Sequence, residues 1–225
     1  MKLLGAVASP YVTRVLMFSR LKGVDVPLED APGGSTHSPE FMALSPIAKM
    51  PALTDGDLAL AESEVICEYI EDLHPTPSGL PADNFGRATS RLISRITDLY
   101  IAPHTSTMFR QMNPKTRDQA IVDTAATDFA KGFGYVEHFM GDGPFCVGDT
   151  PTLGDCTLSP YVMLLKKTVF ATFSEVEDPT EGDGRLAVWW NAIQGNDICK
   201  ATVDEYATAV DGFMKGMGAR ITGQA

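Results

Sequence analysis

Cysteine is scarce and scattered in this chain of 225 residues. None of the four cysteines belongs to a CxxC pair or stands near a histidine at the spacing of a zinc site. We therefore expect reduced, mostly buried thiols and no metal centre. The cysteines are Cys67, Cys146, Cys156 and Cys199.

Basic residues are also few. Lysine and arginine number 18 against 29 aspartates and glutamates, which gives a formal net charge of −11. A field of that sign repels phosphate backbones and anionic lipid headgroups, which argues against nucleic acid or a membrane as partner. No apolar run approaches the roughly 18 residues of a membrane-spanning helix, and the first residues lack the pattern of a secretion signal. We expect a cytoplasmic protein.

A Ser-His-Asp hydrolase is not indicated either, because no serine lies in a G-x-S-x-G sequence. The chain does have 44% hydrophobic and 21% charged residues, the balance of a globular protein with a substantial core. Its length corresponds to one or two domains.

The first third of the chain alternates strand and helix patterns. Residues 3–7 form a short apolar run typical of a buried strand. Ser9 and Pro10 then have the chemistry of a helix N-cap and first helical position, and they predict a helix to about Lys22. Residues 24–29 follow as a second strand.

A hairpin and a third helix complete this part. Strands at 52–54 and 58–60 flank an Asp-Gly-Asp turn, and a short helix is predicted before them at 38–44. Residues 62–73 carry apolar side chains at helical spacing. The expected order is βαβαββα. The apolar residues of the third helix are Val65, Ile66, Tyr69, Ile70 and Leu73.

Composition changes after residue 73. Three prolines and a glycine in 74–84 are typical of a linker, and beyond them the apolar residues repeat only at helical spacing. We predict an α/β domain at 1–76, a linker at 77–84 and an all-helical domain at 85–225.

Four segments, in this order, resemble the cytosolic glutathione S-transferase family. They are SPYVTRV at 9–15, KMPAL at 49–53, LAESEVICEYI at 60–70 and VGDTPTLGD at 147–155. The resemblance implies a thioredoxin-like N-terminal domain with a cis-proline, an all-α C-terminal domain, glutathione as co-substrate and a homodimer. The first segment is most similar to the serine-type branch, which includes tau, zeta and theta enzymes.

In that branch the resemblance makes Ser9 the residue that activates the thiol. Lowering a thiol pKa by two units takes about 2.7 kcal/mol. A hydrogen bond to a charged group supplies roughly 1.5–3 kcal/mol, and a helix N-terminus supplies about 0.3–2 kcal/mol. A hydroxyl at a helix start is thus sufficient. Tyr11 is the rival donor, and Ser9 also has a structural explanation as a plain cap.

The resemblance implies further glutathione contacts. The helix start at Ser63 would hold the γ-glutamyl carboxylate through backbone N–H groups, with Glu62 pairing the ammonium. Pro51 would be cis, turning the Met50 backbone toward the cysteinyl part. An ordinary helix start and a trans edge-strand proline are the alternatives.

His37 and Lys49 are the candidates for the glycyl carboxylate, and either residue is also explained as a solvated surface group. For the electrophile pocket the candidates are Tyr11 and a stripe on one helical face, which core packing also explains. The stripe is Tyr100, His104 and Met108, with Arg110, Met214 and Met217 as further candidates. Arg14, Cys67, Thr152 and Asp155 are interpreted as structural.

Two enzyme functions follow from the resemblance. The first is transfer of glutathione to a small hydrophobic electrophile. The second is glutathione-dependent isomerisation of the maleylacetoacetate type or cleavage of an aryl ether. Zeta-type isomerases usually show SSCxxR where this chain has SPYVTR, which weakens the isomerase interpretation. No cysteine stands at position 9, which argues against a thiol reductase. A non-catalytic binding protein is the third hypothesis, but the expected site residues are present.

Overall fold

The computed structural model describes residues 1–222 and the side chains of residues 1–216. The chain folds as two compact units: Met1–Gly79 with the last helix from Ile198 onward, and Leu80–Asp197. The linker at 77–84 stays a prediction from the sequence. The sequence predicts the last helix as part of the helical domain at 85–225, whereas in the structure this helix groups with the first unit. Arg20 near the end of the first helix bonds to it, through Glu205 at 2.7 Å and Thr202 at 3.1 Å.

The first unit has the predicted βαβαββα order. Its elements are β1 (Lys2–Leu4), α1 (Pro10–Leu21), β2 (Leu28–Glu29), a 3-10 turn (Pro32–Gly34), α2 (Pro39–Leu44), β3 (Ala52–Asp55), β4 (Leu58–Ala61) and α3 (Ser63–Leu73).

The first two strands are shorter than predicted. The backbone N–H of Val24 donates to the Ser19 carbonyl at 2.9 Å, so the start of the segment 24–29 closes the end of α1 instead of extending the sheet. Only Leu28 and Glu29 pair with β1.

The four strands form one mixed sheet in the order β2-β1-β3-β4. β1 runs parallel to β2, while β1 with β3 and β3 with β4 are antiparallel. In this register Leu4 lies opposite both Glu29 and Ala52, and Ala52 also lies opposite Ala61. The ends of β1, β2 and β4 therefore meet the start of β3. We call this row of four residues the upper edge.

Helix α3 is anchored by a narrower stripe than predicted. Ile66 and Ile70 are fully buried, whereas Val65 and Leu73 are 50% and 47% exposed. The two isoleucines are one turn apart and share a ridge, and Val65 lies about 100° around the helix from Ile66. The predicted stripe is therefore wrong at Val65 and Leu73.

A buried polar network ties the far ends of α1 and α3. Lys22 Nζ lies 2.5 Å from Glu71 Oε2 and donates to the Pro77 carbonyl at 2.6 Å. Ser78 Oγ and the Gly79 N–H also donate to the Glu71 carboxylate. Burial pushes the pKa of Glu71 up, but these hydrogen bonds outweigh it and leave the pKa below its ordinary value.

Only helices are present among residues 80–222, as predicted. Within residues 1–222, no helix is both long enough and apolar enough to cross a bilayer. The helices are α4 (Asn84–Ile96), a π-helical stretch (Thr97–Ile101), α5 (Ala102–Arg110), α6 (Gln119–Phe139), α7 (Leu153–Lys167), α8 (Val169–Thr172), α9 (Arg185–Gly195) and α10 (Asp197–Thr222).

The predicted capping box starts α7. The fully buried Asp155 carboxylate accepts hydrogen bonds from the N–H and hydroxyl of Thr152, from the Cys146 N–H and from Trp189 Nε1. Burial still raises the pKa of Asp155. The motif is structural, as interpreted from the sequence, because every contact holds α7 and its neighbours.

Candidate active site

Ser9 occupies the N-cap position of α1, as predicted. Its carbonyl accepts from the Thr13 N–H at 3.0 Å, and Pro10 is the first helical residue. An N-cap serine usually accepts a hydrogen bond from the second or third helical N–H, but the Ser9 side chain makes no such cap bond. Its half-buried hydroxyl is therefore not committed to capping.

Tyr11 is half-buried in the first turn of α1. The Arg14 guanidinium lies 5.5 Å from the centre of its ring. Both proposed hydroxyl donors thus stand at the start of the same helix, and only Tyr11 has a neighbouring cation on that helix.

Met50 and Pro51 are joined by a cis peptide bond, as predicted. Strand pairing begins at the next residue, Ala52. A Cβ added to Gly5 would lie 2.7 Å from Val12 Cγ2 and 3.4 Å from Met50 Cβ. The turn after β1, the start of α1 and the Met50 segment therefore pack closely, and only glycine fits between them.

Glu62 and Ser63 start α3, with one difference from the prediction. Glu62 is the N-cap, at φ 65° and ψ 111°, and its side chain makes no cap bond. Ser63 is the first helical residue, because the first helical hydrogen bond runs from the Ile66 N–H to the Glu62 carbonyl. The Ser63 side chain is buried. The N–H groups of residues 63–65 precede that bond and have no partner within the helix.

The upper edge brings three of the predicted segments together. Ser9 follows β1, Met50 precedes β3 and Glu62 follows β4, and the strand ends concerned are opposite one another. Neighbouring strands are about 4.8 Å apart, so adjacent segments emerge within reach of one small molecule.

His37 and Lys49 are both exposed. His37 lies on the loop between β2 and α2, where its Nδ1 is 3.2 Å from Thr36 Oγ1 and its N–H donates to Ser35 Oγ. Lys49 is adjacent to Met50 and so lies beside the upper edge. The observed contacts of His37 are local.

The predicted helical stripe lies in the second unit and is not uniform. Tyr100 is 49% exposed and belongs to the π-helical stretch, whereas Met108 is 0% exposed. His104 is half-buried, with its Nδ1 3.9 Å from Asp128 Oδ2. The π-helical turn shifts the phase between Tyr100 and the two later residues, so simple helical spacing does not describe this face.

Three further residues are predicted from the sequence for the electrophile pocket. Arg110 is exposed and Met214 is half-buried. The side chain of Met217 lies outside the described residues.

Arg14, interpreted from the sequence as structural, is buried. Its side chain is 1% exposed and is among the largest fully buried side chains of the chain. The signal was present, because this arginine interrupts the otherwise uncharged run VTRVLMF of α1. The left-handed backbone of Glu62 and Ala48 had no such signal, since neither residue is glycine.

The first unit is thioredoxin-like, with a cis-proline and two helix starts at one edge of its sheet, and an all-helical unit follows it. This combination defines the class of protein to which comparisons with known proteins assign the chain. Residues 3–78 match the family model for the glutathione S-transferase N-terminal domain. Glutathione S-transferase F13 of Arabidopsis thaliana is 30% identical over 209 residues, 88% of this chain and 90% of that protein. The chain belongs to the glutathione S-transferase family, and the predicted fold class is confirmed.

Two of the similar proteins are maleylpyruvate isomerases. Maleylpyruvate isomerase of Ralstonia sp is 36% identical over 129 residues, which are 54% of this chain and 61% of that protein. A holo structure of maleylpyruvate isomerase, described as a bacterial zeta-class glutathione S-transferase, has a TM-score of 0.73 at 27% identity. It covers 92% of this chain and 98% of that one.

Proposed function

We propose that this protein binds glutathione at the upper edge and holds its sulfur as a thiolate through the Ser9 hydroxyl. The observation that carries this proposal is the N-cap hydroxyl of Ser9, which makes no cap bond at the start of α1. Such a hydroxyl donates to an anion placed above the helix start, where the helix dipole also favours negative charge.

The rest of the tripeptide has partners of suitable chemistry. The N–H groups of residues 63–65 donate hydrogen bonds to the γ-glutamyl carboxylate, and the exposed Glu62 carboxylate pairs with its ammonium. The backbone of Met50 pairs with the cysteinyl part. Lys49 and His37 are proposed for the glycyl carboxylate, and the position of Lys49 beside Met50 favours it.

The first reaction we propose is transfer. The thiol releases its proton to solvent, and the thiolate forms a sulfur–carbon bond with a small hydrophobic electrophile. The leaving group, such as halide, departs with the bonding electron pair. The relationship to glutathione S-transferase F13 supports this reaction class.

Isomerisation is the second candidate, favoured by the relationship to maleylpyruvate isomerase. Here the thiolate adds to an activated cis double bond and the resulting single bond rotates. Elimination then breaks the sulfur–carbon bond, re-forms the double bond as the trans isomer and releases the thiolate. Glutathione is not consumed. Ether cleavage is a variant of the first reaction, with an aryl oxide as leaving group.

For the second substrate, Tyr11, Tyr100 and His104 stay proposals that rest on the resemblance, and each has accessible surface. Met108, proposed with them, is fully buried. Homodimerisation stays a prediction from the resemblance, and a cytoplasmic location stays a prediction from the amino-acid sequence.

The test compares wild type, Ser9→Ala and Tyr11→Phe in three assays. These are binding to immobilised glutathione, conjugation with an activated aryl halide and isomerisation of a maleyl dienoate with total glutathione followed throughout. We expect Ser9→Ala to retain binding and lose at least about tenfold in turnover, because one donor to the thiolate is removed. Unchanged turnover in Ser9→Ala together with loss in Tyr11→Phe would assign the thiolate to Tyr11.

A further inference from the structure

The first turn of α3 presents an electrostatic difficulty for an anion site. It contains Glu64 and no basic residue, and the N-cap is Glu62. Within the proposed function Glu62 is matched by the ammonium of glutathione. Glutathione supplies no such match for Glu64. The Glu64 carboxylate, whose Oε2 is buried, repels the γ-glutamyl carboxylate that the N–H groups of residues 63–65 are proposed to bind.

Arg14 is a buried cation on α1, the helix whose end is joined to the end of α3 by the pair of Lys22 and Glu71. It lies in the second turn of α1, its side chain is 1% exposed, and its guanidinium stacks 5.5 Å from the Tyr11 ring centre. The side chain of a helical residue points back toward the helix start. The other buried cation of the first unit's described residues, Lys22, is paired with Glu71 at the opposite end of α1.

The contact between Lys22 and Glu71 aligns the end of α1 with the end of α3. Arg14 precedes Lys22, and Glu64 precedes Glu71, by about two helical turns each. Both side chains therefore lie toward the helix starts, which leave the same edge of the sheet. Consistent with this placement, the Arg14 guanidinium lowers the pKa of the buried Cys67 thiol on α3, whereas burial and the Glu64 and Glu68 carboxylates raise it.

We propose that Arg14 is a positioning residue of the glutathione site that neutralises Glu64, so that the first turn of α3 remains attractive to the γ-glutamyl carboxylate. This inference rests on the proposed glutathione site. It assigns the stacked Tyr11 ring a second role, which is to hold the guanidinium toward α3.

A purely structural role for Arg14 makes a different prediction. If Arg14 only packs α1, its replacement weakens glutathione binding whatever stands at position 64. If it neutralises Glu64, removing both charges restores binding. The two roles are thus separated by a double-mutant cycle.

The experiment measures the dissociation constant of glutathione by calorimetry for wild type, Arg14→Met, Glu64→Gln and the double variant. We expect Arg14→Met to bind roughly tenfold or more weakly, as when one partner of a buried charge pair is lost. Glu64→Gln should bind at least as tightly as wild type, and the double variant should recover most of the loss.

Two matched controls locate the effect. Arg20→Met removes the same charge from the same helix, where Arg20 is paired with Glu205, and should leave affinity unchanged. Glu68→Gln removes a carboxylate one turn beyond Glu64, also acting on Cys67, and should not rescue Arg14→Met. Arg14→Lys keeps the charge and should bind within a few fold of wild type.

The outcomes are distinct. Equal affinity of Arg14→Met and wild type, or a double variant no better than Arg14→Met, would overturn the inference while leaving the glutathione site intact. Wild type that binds no glutathione would overturn the proposed function itself. If Arg14→Met does not fold, Arg14→Gln and Arg14→Gln/Glu64→Gln, each checked by circular dichroism, take its place in the cycle, and an equal loss of affinity with and without the Glu64 carboxylate would overturn the inference.

Discussion

Lys22 Nζ and Glu71 Oε2 lie 2.5 Å apart in the interior of the first unit, with the two side chains only 1% and 5% exposed. The pair joins the end of α1 to the end of α3, the two helices whose starts carry Ser9 and Ser63.

Removing one member of this pair should be costly. Glu71→Gln leaves the Lys22 ammonium buried without its counter-charge, and we expect a loss of about 3 kcal/mol in the free energy of unfolding. Urea denaturation measures it. The double variant Lys22→Met/Glu71→Leu should recover part of the loss, because no unpaired charge remains; a double variant less stable than either single one would contradict this account.

Stability should fall in acid partly through Glu71. Its folded pKa lies below the ordinary value of 4.5. Because the folded state favours the carboxylate, Glu71 contributes stability above the unfolded pKa and loses it as pH falls through the lower folded value. The free energy of unfolding, followed from about pH 6 to about pH 3, should decline less steeply in Glu71→Gln than in wild type. Parallel curves would assign the acid sensitivity to other carboxyls.

Gly132 should not tolerate alanine. A Cβ there would lie 2.5 Å from the Tyr100 carbonyl oxygen and 2.9 Å from Ile101 Cγ1, where α6 packs on the π-helical stretch. The backbone must shift, and we expect a loss of about 1–3 kcal/mol. Gly134→Ala is the matched control on the same helix, since nothing lies within 4 Å of its added Cβ. That control should gain about 0.5–1 kcal/mol, measured by thermal unfolding.

Ala48 should be improved by glycine. It has φ 55°, a left-handed conformation that costs an L-residue roughly 1 kcal/mol. Ala48→Gly relieves this strain, and we expect a net gain of about 0.5 kcal/mol after the entropy cost of glycine. Ala43→Gly, an exposed position within α2, should instead destabilise. Denaturant midpoints of the two variants moving in the same direction would contradict the assignment of strain.

Two variants of Glu62 separate the effect of its charge on glutathione binding from the effect of its backbone conformation on stability. At φ 65° glycine is favoured, so Glu62→Gly should raise stability while weakening glutathione binding through loss of the carboxylate. Glu62→Gln should weaken binding with little change in stability. Calorimetric binding and thermal unfolding on both variants test this, and unchanged affinity in both would remove Glu62 from the ammonium site.

The sequence predicted the order of elements in the first unit because its signals are local. Ser9-Pro10, Ser38-Pro39 and the Asp-Gly-Asp turn each act within a few residues, and the structure has a helix or hairpin at each. The proline at 51 is cis as expected from the resemblance, but nothing in the sequence marked the second cis-proline, Pro77.

The remaining differences depend on long-range packing. The exposure of Val65 and Leu73, the π-helical turn at Tyr100 and the burial of Met108 are set by which helix packs against which face. A local period cannot supply that information. The grouping of α10 with the first unit likewise rests on contacts made about 180 residues apart.

Because α10 belongs to the same unit as β1 and α1, the first unit is built from two segments that lie far apart in the chain. During synthesis, which proceeds from the N-terminus, β1 and α1 leave the ribosome long before Val203, Tyr206 and Val210, which are buried on α10. The first unit is therefore begun before the helices of residues 80–197 are made and is completed after them, so a nascent chain exposes the uncovered surface of this unit until α10 has been synthesised.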